Sequence, residues 1–192
     1  RDCLEPATAA FVHGELGLGH DCQIMDVSNA CLGFLNALCL AGSLIDAGQI
    51  RRALIVSGEN GRPLIERTIA QLNEPGHTRQ TIKPYFANLT IGAGAVAAVV
   101  SHEAAARGEV IRLSHGVVKT DSAANVLCQG GSGPDNSLEM QTDAEALLEA
   151  GIGLGRETWM AFKAEGGWDE STPDTVVCHQ VGKQHLRQLY EA

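Results

Sequence analysis

Apolar positions along the 192 residues gather in short blocks of two kinds, separated by glycine, proline or charge. Continuous runs such as "CQIMDVS" (22–28), "RALIVSGE" (52–59), "LTIGAGAVAAVVS" (89–101), "VIRLSHGVVKT" (110–120) and "DTVVCHQ" (174–180) read as buried strands. Between them the spacing widens to helical steps. From Ala30 to about Ala47, Cys31, Leu35, Leu38 and Ile45 recur at such steps, while Gly33, Ala37, Ala41 and Gly42 keep the helix slim. Charge is almost absent before Asp46, which predicts a helix buried on all sides. Residues 6–17 are predicted as a short helix with Pro6 at its first position, and 62–72 as another. Thr142 and Glu145 form a T-x-x-E capping box that opens a helix to about Glu165, with Leu148, Ile152, Gly155, Trp159 and Phe162 along one face. Residues 182–192 form a final helix. Segments 73–88 and 121–137, rich in Gly, Pro, Ser, Asp and Asn, are predicted loops.

Strands alternating with helices indicate an α/β layered fold with buried sheets. A weak internal echo adds to this: "IMDVSNAC" and "TVVCHQVG" are both apolar strands that deliver reactive residues to the start of a helix. A duplicated architecture would break near 102–109.

Composition narrows the function. Net charge is −9 and aromatics are 4%, so the basic surface and stacking platforms of nucleic-acid binders are missing. No apolar run reaches membrane-spanning length, and no basic n-region precedes an apolar h-region. Six cysteines at irregular spacing, with no CxxC pair, fit neither a disulfide framework nor a zinc site, which points to reduced cytoplasm and no metal.

Three residues could carry chemistry. Cys31 sits where a strand hands over to a helix, with Ser28 or Asn29 as cap. In the first turn its thiol would face unpaired N–H groups and the positive end of the helix dipole, which favour thiolate. A small buried cysteine serves equally well as core filler, and periodicity does not separate the two. Cys22, Cys39 and Cys178 read as packing residues. His179 ends the last strand, as a partner for a nucleophile or as a capping histidine, while His185 on the following helix reads as surface. Glu5 precedes a helix start, where a carboxylate offsets the dipole. "GAGAV" inside a strand and "GIGLG" inside a helix do not fit a dinucleotide fingerprint.

"DVSNACLGFLNAL" resembles the nucleophile segment of thiolase-superfamily condensing enzymes, and "HQVGKQH" resembles their later histidine motif. Within that superfamily, "EPATAAFVHGELGL", "RALIVSGE", "LTIGAGAVAAVV" and "LEAGIGLGRETWMAFKAEGGW" resemble the OleA-type enzymes, which join two long-chain acyl-CoAs head to head in bacterial olefin biosynthesis. The ordinary ketoacyl-ACP synthase III pattern fits less well: "LTIGAGA" lacks that family's aspartate, and Val181 and Gly182 replace its Ala-Asn.

The resemblance implies a thiolase-like α/β fold of duplicated βαβαβ halves in a five-layer α-β-α-β-α arrangement, incomplete at both ends. Residues 1–101 would belong to the first half and 102–192 to the second. It further implies Cys31 as nucleophile, His179 as stabiliser of an oxyanion or enolate, and Glu5 as general base, acting in the partner subunit of a homodimer. Acyl-CoA or acyl-ACP would be substrate, with no separate cofactor. The active-site asparagine and a glycine-rich oxyanion segment of that family would fall beyond Ala192, so the chain is expected to be part of a longer enzyme, inactive in isolation. The alternatives are a decarboxylative 3-oxoacyl-ACP synthase III, a hydroxymethylglutaryl-CoA synthase, which also uses Glu, Cys and His but whose flanking words fit less well, and a non-catalytic acyl-binding paralogue.

Overall fold

The computed structural model describes residues 5–133, 137–180 and 182–191, with only the backbone of 184 and 185. The expected surface placement of the His185 side chain therefore lies outside the described residues. Among the described residues the α-helices and β-strands follow in the order α1 (Thr8–Glu15), α2 (Gly33–Asp46), β1 (Arg52–Glu59), α3 (Arg62–Leu72), α4 (Arg79–Ile82), β2 (Gly94–Ser101), β3 (Cys128–Ser132), β4 (Leu138–Thr142), α5 (Ala144–Gly166) and α6 (Lys183–Glu191). The chain divides into two compact units. The first runs to Ser57 and includes Val96–Leu113; the second comprises Gly58–Ala95 and the chain from Ser114 onward.

The first unit is built around α2 and the paired strands β1 and β2. Its buried apolar residues are Ala41 and Ile45 on α2 and Ile55 on β1. The small face of α2 allows close packing, and a Cβ at Gly42 would lie in ordinary contact, 3.5 Å from Leu113 Cδ2. The other faces are open: Leu32, just before the helix, and Leu35 and Leu40 along it are exposed, so α2 is not buried on all sides. Low charge marks a helix that tolerates apolar surroundings; it does not supply the neighbours that bury it.

The second unit has a polar centre. Asn88, 1% exposed, donates through Nδ2 to Thr68 Oγ1 on α3 (3.0 Å) and to the Met140 carbonyl on β4 (2.9 Å). β3 and β4 form an antiparallel hairpin in the register Cys128↔Thr142 to Ser132↔Leu138. The expected loop 121–137 thus contains a strand, because Gly130 and Gly131 can pair as readily as they can turn. The loop 73–88 likewise carries α4, opened by a reciprocal Thr78–Thr81 capping box, and a 3-10 segment Lys83–Thr90.

Helix α5 begins one residue later than its sequence signal suggests. Asp143 is the N-cap and accepts from Ala146 N, whereas Thr142 is buried in β4 with its hydroxyl 3.4 Å from Cys128 Sγ. A β-branched side chain already committed to a strand face cannot also cap. The expected inner face of α5 is half-buried throughout, and at Gly155 a Cβ would approach Leu189 of α6 to 3.1 Å. At its far end His115 stacks on Phe162 (centroids 4.2 Å) and meets Trp168 edge-on, over Gly166, where a Cβ would come within 2.6 Å of the imidazole. Lys163 bonds Glu170 there; that bond, first among the causes, holds the Glu170 carboxyl below its ordinary range.

Three predicted strands are not paired among the described residues. Segments 22–28, 110–120 and 174–180 form no regular element and belong to no ladder among the described residues, and Ile111 and Val177 stand 102% and 83% exposed. An apolar run is not enough; a strand also needs a neighbour for its N–H and C=O groups.

Replacing Asn88 by alanine is expected to leave Thr68 Oγ1 and the Met140 carbonyl without that donor, at a cost of about 1–3 kcal/mol. Urea denaturation of wild type and Asn88→Ala measures this directly, and a loss below about 0.5 kcal/mol would remove Asn88 from the centre of the unit.

Candidate active site

Cys31 lies where segment 22–28 turns into α2, on the bend itself. Ala30, Cys31 and Leu32 form a single 3-10 turn, and the α-helix starts only at Gly33. The capping roles expected for Ser28 or Asn29 are not realised: neither turn nor helix has a side-chain cap, and Asn29 Nδ2 donates instead to Asn36 Oδ1 at 2.6 Å. Cys31 is therefore one turn ahead of the position the spacing predicted. What makes the bend is Ala30, the one non-glycine residue with positive φ (+40°) among those described. Left-handed backbone at an alanine costs about 1–2 kcal/mol, and such strain persists where surrounding structure fixes it. Gly33 lets the bend close, since a Cβ there would meet the Val27 carbonyl at 3.2 Å. The outcome is a thiol presented outward: Cys31 is exposed, as are Cys22 and Cys128, whereas Cys39 and Cys178 are half-buried. Among the described residues neither Cys31 nor Cys22 is buried by neighbours, so the packing role expected for Cys22 is not realised.

Glu5 is exposed in the turn before α1. It does not serve the helix dipole from within the helix, because α1 starts at Thr8, beyond Pro6, and has no acid in its first turn. The carboxylate at that helix start is Asp26, whose Oδ2 accepts from Thr8 N (2.8 Å) and Oδ1 from Ala9 N (2.9 Å). Sequence reasoning missed this residue, because the spacing of 18 gives no local signal.

His179, in the second unit, ends the segment 174–180 and is exposed. Gly182 follows with φ of +140°, then α6, whose Tyr190 hydroxyl donates back to the Val176 carbonyl at 3.0 Å. A shallow cavity of about 370 Å³ in the second unit, lined by Asp121, Glu149 and Glu157 among others, includes none of the three candidates. Its acidic lining has the wrong sign for a phosphate-bearing ligand. No helix of the described residues is long and apolar enough to cross a membrane.

The bend allows a stability test. Ala30→Gly is expected to stabilise by about 0.5–1 kcal/mol, the relief of strain being partly offset by the freer unfolded chain. Ala30→Val is expected to cost about 1–3 kcal/mol, since β-branched residues are poorly tolerated there. Chemical denaturation of the pair reads both signs, and equal effects would show that position 30 carries no strain.

Comparison with known proteins matches this geometry to a family. The model for 3-oxoacyl-[acyl-carrier-protein] synthase III covers residues 25–117. An acyl-CoA:acyl-CoA alkyltransferase of Xanthomonas campestris is 37% identical across 96% of this chain and 53% of its own length. The fold matches Xanthomonas campestris OleA with cerulenin bound (TM-score 0.89, 34% identity, all of this chain and 54% of that one). The same protein has been solved with its glutamate, cysteine or histidine replaced, the cysteine variant holding lauric acid and lauroyl-CoA. A 3-oxoacyl-ACP synthase III from Xanthomonas oryzae matches at TM-score 0.88 and 35% identity, over all of this chain and 55% of that one. The chain spans about half the length of these relatives. Residues 25–117 thus match the 3-oxoacyl-[acyl-carrier-protein] synthase III family, and the chain as a whole is similar to the thiolase-like OleA-type enzymes.

Proposed function

We propose that the chain carries the nucleophile, base and histidine of an acyltransferase that condenses two fatty acyl-CoA thioesters without decarboxylation. The observation that carries the reading is Cys31, exposed on a strained turn between an apolar segment and α2. A thiolate there attacks the carbonyl of one acyl-CoA, and collapse of the tetrahedral adduct expels the CoA thiolate and leaves acyl-Cys31. In this reading the Cys31 backbone N–H donates to the oxyanion. Glu5 then takes an α-proton from the second acyl-CoA, and His179 donates a hydrogen bond to the enolate oxygen. The α-carbon attacks the acyl-Cys31 carbonyl, the Cys31 thiolate leaves, and a 3-oxoacyl thioester is formed whose hydrolysis gives the 3-oxo acid.

Two similarities support these roles. The relatives include an acyl-CoA:acyl-CoA alkyltransferase. In Xanthomonas campestris OleA the substituted glutamate precedes the substituted cysteine at the same spacing as Glu5 precedes Cys31, with the histidine downstream of both. Residues 1–101 and 102–192 correspond, in this reading, to portions of the two thiolase-like halves, a division by ancestry that differs from the packing units. A homodimer in the cytoplasm, with Glu5 serving the partner's site, and a place in olefin biosynthesis complete the proposal.

The family model and the Xanthomonas oryzae structure favour one second reading, a decarboxylative 3-oxoacyl-ACP synthase III. Loss of carbon dioxide from malonyl-ACP generates the carbanion without a base, so Glu5 separates the two. In full-length protein given myristoyl-CoA, Glu5→Gln is expected to keep the acyl-Cys31 adduct within about threefold while the 3-oxo product falls about 100-fold or more, the scale of general-base catalysis. Mass spectrometry reads both species. No 3-oxo product from myristoyl-CoA alone, with product appearing in both wild type and Glu5→Gln once malonyl-ACP is added, would transfer the assignment to the decarboxylative enzyme.

Exposure gives a further expectation. Cys22, Cys31 and Cys128 are all exposed, so access alone predicts equal alkylation. An activated nucleophile is expected to make Cys31 react with iodoacetamide near pH 7 about tenfold faster than the other two, because the thiolate is the reactive form. Peptide mapping after timed labelling tests this, and uniform labelling would favour a non-catalytic acyl binder.

A further inference from the structure

We propose that Asp26 is a positioning residue that fastens the turn bearing Glu5 to the segment delivering Cys31; the inference rests on the function proposed above. Both its carboxylate oxygens are engaged with α1, Oδ2 with Thr8 N and Oδ1 with Ala9 N, at 2.8 and 2.9 Å. The rest of α1 offers little to hold it. It is eight residues long, buries none of its side chains, and has Ala7 at its N-cap, which cannot cap. A helix of that length does not persist in water on propensity alone. The Asp26 carboxylate supplies what the local sequence omits: acceptors for two N–H groups that have no partner within the helix, and a negative charge at the positive end of the dipole.

The placement makes this more than a cap. Glu5 lies three residues before Thr8, and Cys31 five residues after Asp26. The intervening backbone is fixed at Ala30 by its turn and at Gly33 by close approach to Val27. The two hydrogen bonds thus set where the Glu5 turn lies relative to the segment that delivers Cys31. Loosening them spares Cys31, which sits on the other side of Asp26, and frees Glu5. A small displacement of a general base lowers only the step that uses it, since proton abstraction requires contact within hydrogen-bond reach. Acylation of Cys31 precedes that step and does not involve Glu5.

The test uses full-length protein with myristoyl-CoA. Asp26→Asn keeps the side-chain shape but has one acceptor oxygen in place of two. It is expected to form acyl-Cys31 at a rate within about threefold of wild type, with kcat for the 3-oxo product down about tenfold and KM within twofold. A second variant separates tethering from capping: Ala7→Asp added to Asp26→Asn restores a local cap to α1 without restoring the tie. Condensation is expected to stay low in that double variant. Recovery to wild-type condensation would reduce Asp26 to a helix cap and overturn the proposal, as would parallel loss of acylation and condensation in both variants, or condensation unchanged in Asp26→Asn. Failure of the functional reading itself looks different, since wild type would then give no 3-oxo product from myristoyl-CoA alone, or Glu5→Gln would match wild type.

Discussion

The bend into helical backbone at Ala30–Leu32 is the constraint on which the proposed chemistry depends. A cysteine inside α2 can sit half-buried on the helix flank, as Cys39 does. A cysteine on the bend ahead of the helix is carried outward, and Cys31 is exposed. The bend exists because one alanine accepts positive φ and because Gly33 brings the helix start against the Val27 carbonyl. Neither residue touches a substrate in the proposed reaction. Both decide whether the thiol can meet one.

Several elements were legible in the residues because local chemistry and packing agree. Helix α3 covers 62–72 as predicted, with Pro63 in its first turn where a missing N–H costs nothing. β1 matches "RALIVSGE" residue for residue, and α2 and α5 overlap their predicted spans, each starting later than its sequence signal. The site residues stood out through flanking words rather than periodicity: Cys31 and His179 each end an apolar run, and that pattern alone did not separate nucleophile from core filler.

The misreadings share one physical origin, which is that sequence reports what a residue prefers and not which neighbours claim it. Thr142 is a good capping residue, yet it is occupied as a strand residue beside Cys128, so Asp143 caps. The run Gly130–Gly131 favours turns, yet β4 lies opposite and draws it into a hairpin. Segments 22–28, 110–120 and 174–180 have strand composition but no ladder partner among the described residues. Asp26 is the sharpest case. Nothing near it in the chain marks it as a cap, because the helix it caps is 18 residues earlier.

That distance between cause and effect also explains why Glu5 was open to two readings. A carboxylate just before a helix usually answers the helix dipole, and that role alone accounts for such a residue without any chemistry. In this chain the role is already filled by Asp26, with both oxygens committed to the first N–H groups of α1. A second acid at the same end gains little from the dipole, which is felt only within the first turn, and it is repelled by the charge already there. Glu5 is also separated from that turn by Pro6 and Ala7. Helix stability therefore gives no reason for a carboxylate at position 5. In the proposed reaction the carboxylate at that position is the general base.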